Sequence, residues 1–207
     1  KDNGLEENTL IVFVSDNGGT NQIDVPNIND PYRGWKITFF EGGIRTPFFV
    51  KWPAQLEKGK IVTDAVHHTD IFKTFAAAAG GKVPSDRKLD GKNLLPHAKG
   101  ETTGPLHDAL FWKHGHYQAA MSDGWKLQVA ERPNKTWLYN LNVDAGEKNN
   151  LAESEPEKVA QLKAKLAQFN SEMIPPRWES ILEVPVNVDK TDAEGWAEGD
   201  EFIYYPN

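Results

Sequence analysis

The sequence predicts an α/β fold followed by a smaller antiparallel subdomain, and three observations carry that reading. The apolar run TLIVFV (residues 9–14) ends abruptly in Ser15-Asp16-Asn17-Gly18-Gly19, as a buried strand does where it opens into a loop. A helical pattern with its own start and stop follows at residues 69–79. From residue 107 onward, alternation replaces helical periodicity, and a single amphipathic stripe comes after it.

The first strand, Leu10 to Val14, is continuously apolar and reads as covered on both faces, as in a parallel sheet. A carboxylate at the end of such a strand needs a hydrogen bond, a partner charge or a metal. Ligands collect at that edge in open α/β sheets. The stretch SDNGGTN equally suits a plain turn in which Asp16 caps backbone amides.

A polar loop rich in Asn, Asp and Pro occupies residues 15–34, then GWKITFFEGGIRTP, then FFVKWP as a second strand candidate at 48–53. In TDIFKTFAAAA, Thr69 suits the N-cap, Gly80 and Gly81 suit the stop, and Ile71, Phe72, Phe75 and Ala79 make one apolar face.

The segment ALFWKHGHYQAAMSDGWKLQVA reads as strands joined by turns, with Asp123-Gly124 a strong hairpin signal and WLYNL (137–141) a further strand. Ser154-Glu155-Pro156-Glu157 has a capping-box pattern. Val159, Leu162, Leu166, Phe169 and Met173 form the stripe of a core-packing helix at about 155–173, and Pro175 and Pro176 end it. The expected organisation is therefore an α/β part at 1–105, an antiparallel subdomain at 106–182 and an acidic tail at 183–207.

Composition narrows the function classes. The 207 residues, 39% hydrophobic and 11% aromatic, describe a globular chain. A net charge of -7 argues against non-specific nucleic-acid binding. The tail carries seven acids and one lysine, so the rest is nearly neutral. The absence of cysteine rules out disulfides, thiolate zinc sites and a cysteine nucleophile within the chain. No apolar run approaches membrane-spanning length. Beginning at Lys1, and meeting its first strand almost at once, the chain reads as the later piece of something longer.

Asp16-Asn17-Gly18, then Lys36, then Glu41-Gly42-Gly43 with Arg45 and Pro47 together resemble the type I sulfatases of the alkaline phosphatase superfamily. The family pattern is an apolar strand ending in DNG, then a lysine five residues before EGG-x-R-x-P. The likeness continues in order through HHTDIFKTFAAAAG, LDGKNLLPHAKGE, LFWKHGHYQAAMSDGWKLQV and LYNLNVDAGEKNNLAESEPEKVAQLKAKL, covering roughly residues 8–173. It implies the later part of an alkaline-phosphatase-like sheet domain plus a C-terminal subdomain with one helix.

The resemblance also implies chemistry. Asp16 and Asn17 match two oxygen ligands of a calcium ion held against the sulfate, and Lys36 matches a residue touching a sulfate oxygen. The neutral amide of Asn17 limits the negative charge facing an anion. Related phosphonate and phosphodiester enzymes often place His there, so Asn17 favours a calcium sulfatase. Trp35 and Ile37 flank Lys36 where the family often has glycine. The family's formylglycine comes from a C/S-x-P-x-R motif, and no serine here is followed by Pro and Arg at that spacing.

The expectation is thus a sulfatase acting on sulfated carbohydrate or aryl sulfate, with this chain inactive without an N-terminal part that supplies the nucleophile and the remaining calcium ligands. The rivals are a phosphodiesterase or phosphonate hydrolase of the same superfamily, and a non-catalytic fragment that binds sulfated glycans. A bacterial, periplasmic or secreted setting is expected; oligomeric state is open.

Among the remaining residues, Glu41 and Arg45 are expected to form an internal ion pair, and His67 and His68 to pack or cap the following helix. His114 and His116, at a turn of the small sheet, are candidate contacts to a sugar hydroxyl or sulfate, against a reading as exposed hairpin histidines. The acidic tail, with Trp196, Phe202, Tyr204 and Tyr205, is expected to wrap its own domain rather than form an oligomer contact.

Overall fold

The computed structural model describes residues 1–178 and 180–206; residue 179, inside the expected subdomain, and residue 207, the end of the expected tail, lie outside the described residues. In chain order the elements are β1 (Ile11–Val14), α1 (Glu41–Ile44), β2 (Phe48–Lys51), α2 (Asp70–Ala78), α3 (Leu95–Lys99), β3 (Leu110–His114), β4 (Tyr117–Ser122), β5 (Trp125–Ala130), β6 (Lys135–Asn140), α4 (Pro156–Ser171), β7 (Glu183–Asn187) and β8 (Phe202–Pro206), with a 3-10 turn at Asn21–Ile23. No helix among the described residues is long and apolar enough to cross a membrane. Packing separates two units that interleave along the chain: Lys1–Val14 with Pro47–Asp108, and Ser15–Thr46 with the chain from Ala109 onward.

In the first unit, β1 corrects one expectation. It pairs antiparallel with β2, Phe13 opposite Phe49, and its burial alternates instead of being continuous. Ile11 and Phe13 are 50% and 64% exposed. Alternate side chains of a strand point to opposite faces, and the face bearing Phe13 and Phe49 stays open among the described residues.

Helix α2 departs from its predicted apolar face. Phe72 and Phe75 are exposed, while Asp70 and Thr74 are fully buried. Thr69 makes no side-chain cap bond. Instead the Asp70 carboxylate accepts from the His67 and Lys92 amides at 2.7 Å each, and His107 Nε2 lies 3.0 Å from both its oxygens. Thr74 donates to the Asp70 carbonyl and accepts from the Leu94 amide. The helix is thus anchored by a satisfied polar hub, which relieves the cost of burying a carboxylate. His67 joins that hub by backbone and bonds Thr69 through its ring, consistent with a packing and capping role.

The second unit is a four-stranded antiparallel meander, β3-β4-β5-β6, crossed by α4. Asp123 and Gly124 both have positive φ (52° and 75°), as the tight β4–β5 turn requires. On one face Leu127 and Leu138 meet Leu162 of α4, with Val159 packed alongside, and Phe169 stacks on Phe111 at 4.6 Å. Of the predicted stripe, Met173 lies past the helix end and is exposed. The capping box does not form: Glu155 is the N-cap without a side-chain bond, and Ser154 donates to the Leu151 carbonyl.

The opposite face carries Tyr117, Trp137 and Tyr139, packed on Phe40 and on Val186, Val188 and Ile203 of the β7–β8 hairpin and the loop after β7. The acidic segment therefore wraps its own unit, as expected. Three of its acids, Asp189, Asp200 and Glu201, form ion pairs with Arg33, Lys135 and Lys190.

Candidate functional site

Three backbone hydrogen bonds join the segments that the sequence singles out. The Gly18 amide donates to the Gly43 carbonyl at 2.9 Å, the Lys36 amide to the Gly19 carbonyl at 2.8 Å, and the Gly42 amide to the Arg33 carbonyl at 2.7 Å. Asp16-Asn17-Gly18-Gly19, the turn before Lys36 and helix α1 thus form one loop cluster within the second unit.

The glycines are needed for this approach. A Cβ on Gly18 would lie 1.7 Å from the Gly42 carbonyl oxygen, and one on Gly43 2.2 Å from that of Thr38. Asn29 closes the loop from the other side. Its Oδ1 accepts from the Gly19 amide at 2.7 Å, and its Nδ2 donates to the carbonyls of Gly19 and Gly34 at 3.0 Å each.

Within this cluster Asp16 and Lys36 are exposed. Neither the Asp16 carboxylate nor the Lys36 ammonium has a hydrogen bond or ion pair among the described residues. The Asn17 amide nitrogen donates to the Gly18 carbonyl at 2.9 Å, which leaves its oxygen as the open acceptor. An unengaged carboxylate beside an amide oxygen is a donor set suited to a hard cation. It is only part of one, because calcium takes about six to eight oxygens. Among the described residues no three His, Asp or Glu side chains converge to hold a metal.

Beneath α1 lies a charged network that the sequence does not announce. Lys126 Nζ sits 2.7 Å from Glu41 Oε1 and 2.8 Å from Glu147 Oε1, and Lys126 and Glu147 are fully buried. Glu147 Oε2 accepts from the Glu41 amide at 2.5 Å, satisfying a donor at the start of α1. Gln128 links Glu147 to the Tyr117 hydroxyl, which accepts from the Phe39 amide at 2.9 Å. Burial pushes the Glu147 carboxyl above its ordinary range although Lys126 pulls the other way, and burial raises the Tyr117 hydroxyl. Glu41 and Arg45 form the expected ion pair at 3.4 Å, yet Glu41 has the closer partner in Lys126.

In WKLQV, Lys126 and Gln128 alternate with apolar residues and so resemble a solvated strand face. Nothing in that spacing shows that the face is covered. Glu147 sits in a polar loop with no periodicity to mark it.

His114 and His116 lie elsewhere. The His114 ring stacks on Tyr205 at 4.2 Å, and burial lowers its pKa. His116 Nε2 is 3.3 Å from Glu183 Oε1, and Glu183 also pairs with Arg132. These contacts belong to the open end of the β7–β8 hairpin. The loop past its other end reaches Asn21 and Asp24, about 13 Å along the strand at ~3.3 Å per residue. Among the described residues, neither histidine hydrogen-bonds to, or ion-pairs with, residues of the Asp16–Lys36 cluster.

Comparison with known proteins adds independent findings. Residues 34–172 match the family model described as N-sulphoglucosamine sulphohydrolase, C-terminal. The steryl-sulfatase of Rattus norvegicus is 33% identical over 147 residues, 68% of this chain and 25% of that protein. A sulfatase of Formosa agariphila is 32% identical over 173 residues, 75% of this chain and 31% of its own length. A solved structure described as Ps i-CgsB in complex with k-i-k-neocarrahexaose superposes with a TM-score of 0.74 at 30% identity, covering 86% of this chain and 40% of that one. The chain spans about a quarter to a third of the length of those two curated relatives. With the family model covering two thirds of the residues, including Lys36, the glycine turn of α1 and the buried Lys126–Glu147 pair, the chain belongs to the sulfatase family and corresponds to its C-terminal portion.

Proposed function

We propose that the complete protein is a sulfuric ester hydrolase, and that this chain contributes Asp16 and Asn17 to a calcium site and Lys36 to the sulfate. The observation that carries the reading is the pair of backbone bonds, Lys36 to Gly19 and Gly18 to Gly43, that keeps the three residues on one loop cluster. When bound there, calcium supplies a fixed positive charge for the sulfate oxygens.

Lys36 adds a second cation, unengaged by any acid among the described residues, and such a clamp favours the charge that develops on the transferring group and leaving oxygen. Asn17 offers an oxygen without adding negative charge, which lessens repulsion of an anionic ester. The chain holds neither cysteine nor an S-x-P-x-R sequence. A formylglycine nucleophile and the remaining metal ligands would therefore come from an N-terminal part of the polypeptide, and the chain alone would be inactive.

For the substrate we favour a sulfated carbohydrate over an aryl sulfate, supported by the neocarrahexaose complex named for one structural relative at 30% identity. Polymeric glycans do not cross membranes, so a periplasmic or secreted setting accompanies this reading.

The test uses the full-length protein with 4-nitrophenyl sulfate and the diester bis(4-nitrophenyl) phosphate, with and without a calcium chelator, beside Asp16→Ala. Sulfate turnover lost on chelation and in the variant is expected, with weakened calcium binding by the variant. Preference for phosphate would make the protein a phosphodiesterase-like relative instead, and near-normal activity of Asp16→Ala would remove that residue from the site. Glycan binding without any hydrolysis would favour a non-catalytic role.

A further inference from the structure

We propose that Arg33 is a positioning residue for Lys36, held by carboxylates from the segment after α4 that lies beyond the family-matched residues. This rests on the reading of Lys36 as a sulfate contact. The matched region ends at residue 172, and both carboxylates, Asp189 and Glu201, come after it.

The guanidinium of Arg33 has every donor engaged. Its Nε and Nη2 bond the two Asp189 oxygens at 2.5 and 2.6 Å, and Nη2 also bonds Glu201 at 2.6 Å. Its Nη1 reaches the Tyr139 hydroxyl at 3.3 Å and the Glu147 carbonyl at 3.4 Å. The ring of Phe40 lies 5.0 Å beneath it. Five donors in a planar fork, all satisfied, leave the side chain one orientation.

That fixed side chain stands three residues before Lys36. The Arg33 carbonyl accepts from the Gly42 amide, and a Cβ on Gly42 would lie 2.4 Å from the Gly34 carbonyl oxygen, so the backbone at 33–34 is seated tightly on α1. Gly34 then turns with φ of 85°, Trp35 is buried, and Lys36 is bonded to Gly19.

The same distal segment holds the other flank of the loop. Asn21 donates to Asp192 at 2.6 Å, the Asp192 amide returns a bond to the Asn21 carbonyl, and Thr191 donates to Asp24 at 2.8 Å. Asn21 and Thr191 are both buried. The loop between Gly19 and Lys36 is therefore clamped at both ends by residues 189–201. Two carboxylates on one guanidinium also cancel its charge, so Arg33 does not compete with Lys36 for an anion. Lysine is a flexible point charge, and its placement depends on where its backbone is held.

The experiment compares kcat and KM for 4-nitrophenyl sulfate in the full-length enzyme and in Arg33→Lys, Lys36→Ala and the double variant, well below the unfolding temperature. Arg33→Lys keeps the charge and loses the fork. It is expected to lower kcat/KM about tenfold, mainly through KM, since small misplacements of a binding group are costly. In the Lys36→Ala background the same change should cost less than about twofold, because the residue it positions is gone. Val188→Ala, in the hairpin core, should lower the melting temperature without moving KM.

Should Arg33→Lys fail to fold, Asp189→Asn, which leaves the Glu201 contact, carries the same comparison. A folded Arg33→Lys or Asp189→Asn with unchanged kcat/KM, or full additivity with Lys36→Ala, overturns the inference while Lys36 keeps its role. Unimpaired turnover by Lys36→Ala overturns both.

Discussion

Replacing Lys126 by methionine keeps the length of the buried stem and removes only the ammonium. In the folded protein that ammonium lies 2.7 Å from Glu41 and 2.8 Å from Glu147, with no solvent exposure of its side chain and 6% and 0% on the two acids. Its loss leaves two carboxylates facing each other inside the protein. Among the described residues, the ion pair left to these acids is with Arg45, half exposed and 3.4 Å from Glu41. Removing one member of a buried ion pair costs about 3–5 kcal/mol, most of it the penalty of stranding the other charge.

The comparison is Glu147→Gln, which leaves the Lys126–Glu41 pair and keeps an oxygen for the Glu41 amide. A lost charge-assisted bond of that kind costs about 1.5–3 kcal/mol. Urea unfolding of the full-length protein, followed by tryptophan fluorescence, should rank Lys126→Met well below Glu147→Gln. The pH dependence gives a second check. Burial already raises the Glu147 carboxyl above its value of 4.5, and without Lys126 the Glu41 amide bond still opposes that rise but the charge of Lys126 no longer does. A group whose folded pKa is raised stabilises the fold when protonated, so the deficit of Lys126→Met should shrink as pH falls towards 4.5. A loss below about 1 kcal/mol, or equal losses in the two variants, would refute the claim that a buried charge balance supports α1.

Two further outcomes follow from the same unit. Gly18→Ala drives a methyl into the Gly42 carbonyl, which cannot move without moving α1, so a destabilisation of about 3 kcal/mol and impaired calcium binding are expected. Gly195→Ala, with open space around it, should stay within about 0.5 kcal/mol when both are measured by thermal unfolding. Burial opposes ionisation of Glu201, but its bonds to Lys135 and Arg33 outweigh it and hold the carboxyl below its ordinary value of 4.5. Its folded pKa is depressed, so its contribution is present above 4.5 and is lost as pH falls through the depressed value. Glu201→Gln should therefore flatten the acid limb of a stability–pH curve below 4.5, and an unchanged limb would remove Glu201 from that role.

By itself the sequence determined what is local. The Asp123-Gly124 turn, the alternation of the surrounding strands and the Leu162–Leu166 stripe each follow from a backbone period or a φ requirement carried by a few neighbouring residues. The order Asp16-Asn17, Lys36, Glu41-Gly42-Gly43 was likewise legible, and with it the family.

Tertiary structure alone decided which faces are covered and which charges meet. A period states which residues share a face, not what lies against it. For that reason Lys126 and Gln128 look solvated in sequence and are buried, while Phe72 and Phe75 look buried and are exposed. Partners such as Arg33 and Asp189, or Glu41 and Glu147, are separated by 156 and 106 residues. No spacing rule reaches that far; the pairing exists because the hairpin and loop fold back onto one face of the sheet, where an unpaired charge would be too costly to keep.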